Sequence, residues 1–315
     1  MLLSLVSAAL LGVYDIVKKN AVAKNAVPPV LWISAINGAV IWACLWCVQA
    51  IMGDAFGFAW LVVDRLSWSD HGLLFCKSAL VGLSWTLALF SLKHLPLSIA
   101  APIRSTSPLF TILLAIAFLA ERPSPTQWLG IIVVLVSFWL FSAVGRGEGI
   151  RFHRNRWVAL MLAATLLGAV SSIYDKILLQ NMGYRPATVQ AWFTFYMVPV
   201  MTPLAAHWWW QDRKRNTAEN ALFDGDVIDQ RSFQFRWSIL AISPLLLLAD
   251  IAYFTAVADP EALVAVVSTL RRCSVVVVLA LSVGRVGEVN LRRKLWCVAG
   301  ILLGALLVLC TGASS

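Results

Sequence analysis

Two adjacent arginines, Arg271 and Arg272, stand in the run Ser268–Val283, whose other side chains are small or apolar. A guanidinium carries its donors in a planar fork that matches a carboxylate or a phosphate. A charge at the centre of a bilayer helix costs at least about 2.5–3.5 kcal/mol, so each arginine needs a buried partner or an anion to bind. The other ionisable groups inside apolar runs are Lys77, Arg104 and Lys176 on one side of the ledger and Asp15, Asp175 and Asp250 on the other. Only Asp250 among the acids lies deep in its run. Arg104, Arg271 and Arg272 set against that single deep acid predict uncompensated positive charge, and with it an anion site. The alternative is a closed network in which Asp250 neutralises one arginine and Asp175 meets Lys176 or Lys77, since buried ion pairs need not be functional. Neighbours on a helix point about 100° apart, so Arg271 is assigned to substrate and Arg272 to an adjacent helix. Trp85 and Tyr253 are the aromatic candidates. The expected binding set is Arg271, Arg104, Arg272, Asp250, Lys77, Trp85 and Tyr253.

Other chemistry is poorly supplied. The chain has no His-Glu-x-x-His, no Gly-x-Ser-x-Gly and no phosphate-binding glycine loop, the patterns that would place a metal, a nucleophile or a nucleotide. No catalytic residue, metal or cofactor is therefore expected. Cys44 and Cys47 have a redox-pair spacing, but no second pair or His ligand lies nearby, and all six cysteines are read as buried thiols. His71, His94, His153 and His207 fall near segment ends.

The elements that must hold these groups follow from composition. The chain of 315 residues is 60% hydrophobic and 13% charged, with mean hydropathy +0.80, far from the roughly 25% charge of a soluble domain. Apolar runs near 1–18, 26–51, 71–93, 96–120, 125–144, 156–180, 187–209, 237–257, 260–284 and 291–311 are each about long enough to cross a ~30 Å hydrocarbon core. Pro28, Pro96, Pro125 and Pro260 stand at or near starts, where a missing N–H does no harm. The first run is read as a span, because its lysines follow the apolar residues. Residues 52–70, with Phe56, Phe58, Trp60 and Trp68, are expected to lie partly along the membrane surface.

The chain repeats itself. "PIRSTSPLFTILLAIAFLAERPS" (102–124) aligns without a gap to "TLRRCSVVVVLALSVGRVGEVNL" (269–291), placing Arg104 on Arg271, Ser107 on Ser274 and Glu121 on Glu288, while Arg272 falls on Ser105. "LLGVYD" (10–15) is echoed by "LLGAVSSIYD" (166–175), and "ALFSLKHLP" (88–96) by "AYFTAVADP" (252–260). Five spans per half turn the second copy over, which predicts an inverted-topology repeat over residues 1–145 and 156–313.

These residues resemble the EamA family of the drug/metabolite transporter superfamily over nearly the whole chain. The likeness is carried by the small-polar fourth helix, by the Glu after it (Glu121, Glu288) and by Gly130, which Cys297 replaces in the second half. Arg271-Arg272 also resembles the basic pair that grips the anion on the ninth helix of the superfamily's phosphate-sugar and nucleotide-sugar transporters. The resemblance implies transport without naming a substrate.

The expectation is an all-α polytopic membrane protein of ten transmembrane helices in the bacterial inner membrane. It would move a small organic anion by alternating access. Export of amino acids or other zwitterions, with Asp250 on the amine, is the rival within transport; a lipid-headgroup flippase or a membrane-embedded enzyme is the rival outside it. Expected partners are a small-molecule substrate, the lipid bilayer, a coupling proton or exchanged solute, and a second copy of the chain; nucleic acid is not one. Basic residues gather in the loops after odd-numbered spans, which predicts that those loops are cytoplasmic and both termini outside. Superfamily members are usually drawn the other way up. Gly300 and Gly304 are expected to pack the tenth helix on the fifth, level with Val133 and Ser137. Glu121 and Glu288 are expected to serve as caps or hinges.

Overall fold

The computed structural model describes residues 2–23, 25–53, 56–95, 103–104, 106–143, 155–220, 233–274, 276–277 and 291–310. Among these residues the fold is all-helical, with no strand. The helices are α1 (Leu2–Val22), α2 (Val27–Met52), α3 (Trp68–His94), α4 (Ser107–Leu119), α5 (Pro125–Ala143), α6 (Arg156–Lys176), α7 (Pro186–Asn220), α8 (Trp237–Ala258), α9 (Val264–Arg271) and α10 (Leu291–Cys310). A π turn, Ile177–Asn181, prolongs α6.

Their ends have local causes. Proline occupies the first turn of α2 and of α4, where its fixed φ suits the helix. The Asn155 side chain caps α6 by accepting the Trp157 N–H at 2.9 Å, satisfying one of the orphan donors. Ala120 ends α4 in the left-handed region at φ 52°, its N–H bonded to the Ala115 carbonyl. A non-glycine residue is uncommon there, and the turn it makes delivers Glu121 to the next helix pair.

Burial runs opposite to that of a soluble protein. Ser4, Ser7, Ser78 and Thr111 are fully inside, whereas Phe118 on α4, Trp139 on α5 and Leu306 on α10 are exposed. Ser7 donates to the Ala249 carbonyl and Ser84 to the Ala164 carbonyl, at 2.7 Å each, whereas Ser4 Oγ has no partner among the described residues. An apolar exterior requires a bilayer to cover it. Val27–Met52, Trp68–Ser91, Arg156–Asn181 and Trp237–Ala258 are long and apolar enough to cross one, and Ser107–Leu119 and Pro125–Ser137 are shorter apolar helices. This is an integral, multi-pass membrane protein.

The chain divides into two compact units, each drawing on both halves of the sequence. The first comprises Met1–Val13, Leu83–Pro186 and Leu248–Ser315; the second comprises Tyr14–Gly82 and Ala187–Leu247. The core of the first unit joins Ile112 and Ala115 of α4, Ile131 and Val134 of α5, Val264, Val266 and Leu270 of α9, and Ile301 of α10. Helices α5 and α10 pack closely, as their glycines suggested. Gly300 faces Ser137, and a Cβ on Gly304 would stand 2.7 Å from the Gly130 carbonyl oxygen. In the second unit Gly38 of α2 lies against Thr194 and Ser243, and Gly82 of α3 against Val200.

Several expected boundaries move. Helix α7 runs eleven residues past 209, to Asn220, because its polar continuation is rich in helix-forming residues. Asp259, Pro260 and Glu261 form a turn, so α9 begins at Val264 rather than at Pro260. In the 52–70 connection Phe58 and Trp60 are exposed but Phe56 and Val63 are buried. Gln49 binds both backbone groups of Val63, at 2.9 and 3.1 Å. Cys44, Cys47 and Cys76 lie on exposed faces as free thiols, not inside; Cys273 and Cys297 are buried. Glu288 and His153 lie outside the described residues.

Candidate functional site

Helix α9 is short and enclosed, with every residue from Val264 to Leu270 buried. Its N-terminus is capped from another helix pair rather than by its own sequence. The Glu121 carboxylate, which follows α4, accepts the N–H groups of Val264 at 2.7 Å and Ala265 at 3.2 Å. It also accepts Lys176 Nζ at 2.7 Å, and Lys176 reaches the Ala262 carbonyl at 3.2 Å. Gln180, in the π turn, donates to the carbonyls of Val257 and Asp259 at 2.6 Å each. A carboxylate at a helix N-terminus answers both the orphan N–H groups and the helix dipole.

The opposite end of α9 carries the arginines. There the chain tightens into i→i−3 bonds, from Arg272 N–H to the Thr269 carbonyl and from Cys273 N–H to that of Leu270, at 3.1 and 3.0 Å. The helix is therefore interrupted at Arg272–Cys273, where a continuous span was expected. Arg271 forms an ion pair with Asp250 of α8 through Nη2. Its guanidinium lies over the Tyr253 ring, 4.2 Å from the centroid. Asp250 and Tyr253 are three residues apart and so share a face of α8. The Tyr253 hydroxyl in turn donates to Asp175 of α6 at 3.4 Å. Arg271 Nε is buried without a hydrogen-bond partner. Arg272 turns away and donates to Ser107 Oγ, at the start of α4, at 3.0 Å.

The structure thus gathers Arg271, Asp250 and Tyr253 and adds Asp175. Around Arg271 stand two carboxylates, Asp250 at its guanidinium and Asp175 behind Tyr253, where a positive surplus was expected. Lys176, a candidate partner for Asp175, goes to Glu121 instead. Arg104 is exposed. Trp85 is half-buried on α3, next to Ser84 and its bond to Ala164. Lys77 belongs to the second unit, where it is buried with Nζ 4.9 Å from the Phe193 centroid. Glu121 caps a helix, as expected of it; what sequence reasoning missed is that the helix is α9 and that Lys176 and Gln180 join the clamp.

One turn recurs in both halves. The Thr106 N–H bonds the Ile103 carbonyl at 3.1 Å, and the Cys273 to Leu270 bond lies 167 residues later at both ends (273 − 106 and 270 − 103).

A solved structure, described only as the crystal structure of a protein, superposes with a TM-score of 0.66 at 17% identity, covering 100% of this chain and 97% of its own. That likeness establishes the fold alone. No curated protein matches the sequence. Residues 1–143 match the EamA-like transporter family, a family of the drug/metabolite transporter superfamily.

Proposed function

We propose that this protein is a secondary transporter that carries a small organic anion across the bacterial inner membrane by alternating access, with Arg271 as the anchor for the anionic group. The carrying observation is the state of that guanidinium. It is oriented by the Tyr253 ring, bound by Asp250 at one nitrogen, and left with a buried, unpartnered Nε. A half-satisfied buried donor costs stability, and a bidentate carboxylate or phosphate would satisfy it. The repeated turn at Thr106 and Cys273 supports two inverted five-helix halves over 1–145 and 156–313, in which interrupted helices form the site. Arg272 contributes by fixing the interruption of α9 to the start of α4. The family's members are transporters, which favours this reading over an enzyme.

A second reading has its own observation. Asp250 and Asp175 beside Arg271 would suit the amine and carboxylate of a zwitterion. A thermal-shift panel on the purified full-length protein separates the two, with uptake into proteoliposomes to follow. Dicarboxylates or phosphate esters are expected to stabilise it. Stabilisation by amino acids alone moves the substrate to the zwitterion class, and transport of neither class overturns the proposal.

A further inference from the structure

Resting on the anion reading above, we infer that Asp250 is a displaceable internal anion, so that each substrate anion bound at Arg271 brings one proton to Asp250. At rest the Arg271–Asp250 pair is neutral. An incoming anion takes the guanidinium through Nη2 and the vacant Nε. The Arg271⁺–Asp250⁻ pair, the anion and one proton then become an Arg271⁺–anion pair and a protonated Asp250, with charge conserved and no other bond broken. The consequence for transport is cotransport of anion and proton in equal number.

The arrangement selects Asp250 rather than Asp175 as the acceptor. Asp175 already receives the Tyr253 hydroxyl and keeps that donor whatever happens at Arg271. The cation that pairs with Asp250 is Arg271. Arg271 comes from α9, Tyr253 from its own helix and Asp175 from α6. Lys176 is held by Glu121, Arg272 reaches Ser107, and Ser7 of α1 addresses only the Ala249 carbonyl. A carboxylate left unpaired in a dry helix bundle neutralises rather than keep its charge.

The test uses the purified full-length protein in weakly buffered detergent at neutral pH. The probes are succinate and sulfate, which exchange almost no protons themselves there, and binding and proton uptake are recorded together. Wild type is expected to take up about one proton per anion, with apparent affinity falling about tenfold per pH unit. In Asp250→Asn, binding should persist with neither effect. Binding without proton uptake in wild type overturns this inference and leaves the anion reading standing. Uptake that survives in Asp250→Asn overturns the assignment to Asp250. Binding of neither probe defeats the anion reading itself and this inference with it. Should Asp250→Asn fail to fold, the wild-type proton count still decides.

Discussion

Arg271 and Arg272 are consecutive, yet their guanidiniums end on different helices, one on α8 and the other at the start of α4. Their replacements should therefore fail differently. Arg271→Lys keeps the charge but loses the fork, and a hydrogen bond to a charged group is worth about 1.5–3 kcal/mol. Apparent affinity for the transported anion should fall about tenfold to a hundredfold, measured by ligand titration on folded protein. Arg272→Ala should instead lower thermal stability by roughly 1–3 kcal/mol, with or without ligand. Unchanged affinity in Arg271→Lys would remove it as the anchor. At this scale the sequence was informative about depth and poor about partners. A charge in an apolar run announces itself, which is why Arg271 and Asp250 could be named. Arg104 could not be distinguished from Arg271, because repeat alignment equates positions and says nothing of exposure. Asp175 looked too shallow until the Tyr253 hydroxyl, reaching across from another helix, drew it in.

At the level of elements, α9 is held at both ends by side chains from elsewhere, and its N-terminal clamp is the stiffer. Glu121 is nearly inaccessible, with 2% of its side chain exposed, and its lysine partner has 11%. Removing one member of a buried pair strands the other, at a cost of about 3–5 kcal/mol. Glu121→Ala should lose that much stability, seen as a depressed unfolding midpoint in detergent. Glu121→Gln should lose less, since its amide oxygen still accepts one of the two N–H groups at the start of α9, while the other loses its acceptor and Lys176 stays unneutralised. Equal losses in the two variants would assign the whole effect to the ion pair with Lys176. Helix existence was legible from apolar run length, and the starts of α2 and α5 from Pro28 and Pro125. The interruption at Arg272–Cys273 was not, because neither proline nor glycine marks it. The start of α9 was misjudged for a related reason: Pro260 reads as a helix opener but sits in a turn.

For the molecule as a whole, the apolar exterior fixes a membrane setting without choosing which side faces the cytoplasm. Composition alone gave the all-helical, multi-pass class. It could not give the two compact units, because each unit is assembled from segments far apart in the chain. Orientation rests on charge. Lys18 and Lys19 lie in the last turns of α1 and Lys24 follows it; Arg146, Arg151 and Arg154 follow α5; Arg213, Lys214 and Arg215 lie in the polar end of α7; Arg285 precedes α10, and Arg292, Arg293 and Lys294 lie in its first turn. The connections on the other side hold only Arg65, Arg122 and Arg185. Short loops rich in Lys and Arg stay in the cytoplasm, so ten crossings would place both termini outside. The extension of α7 strengthens the argument, since Arg213 and Lys214 are exposed on a helix that continues out of its apolar stretch. An alkaline phosphatase fused to the C-terminus should then be active and a fluorescent protein fused there dark. A bright fluorescent fusion with an inactive phosphatase would reverse the topology and put the basic loops outside, against the charge rule.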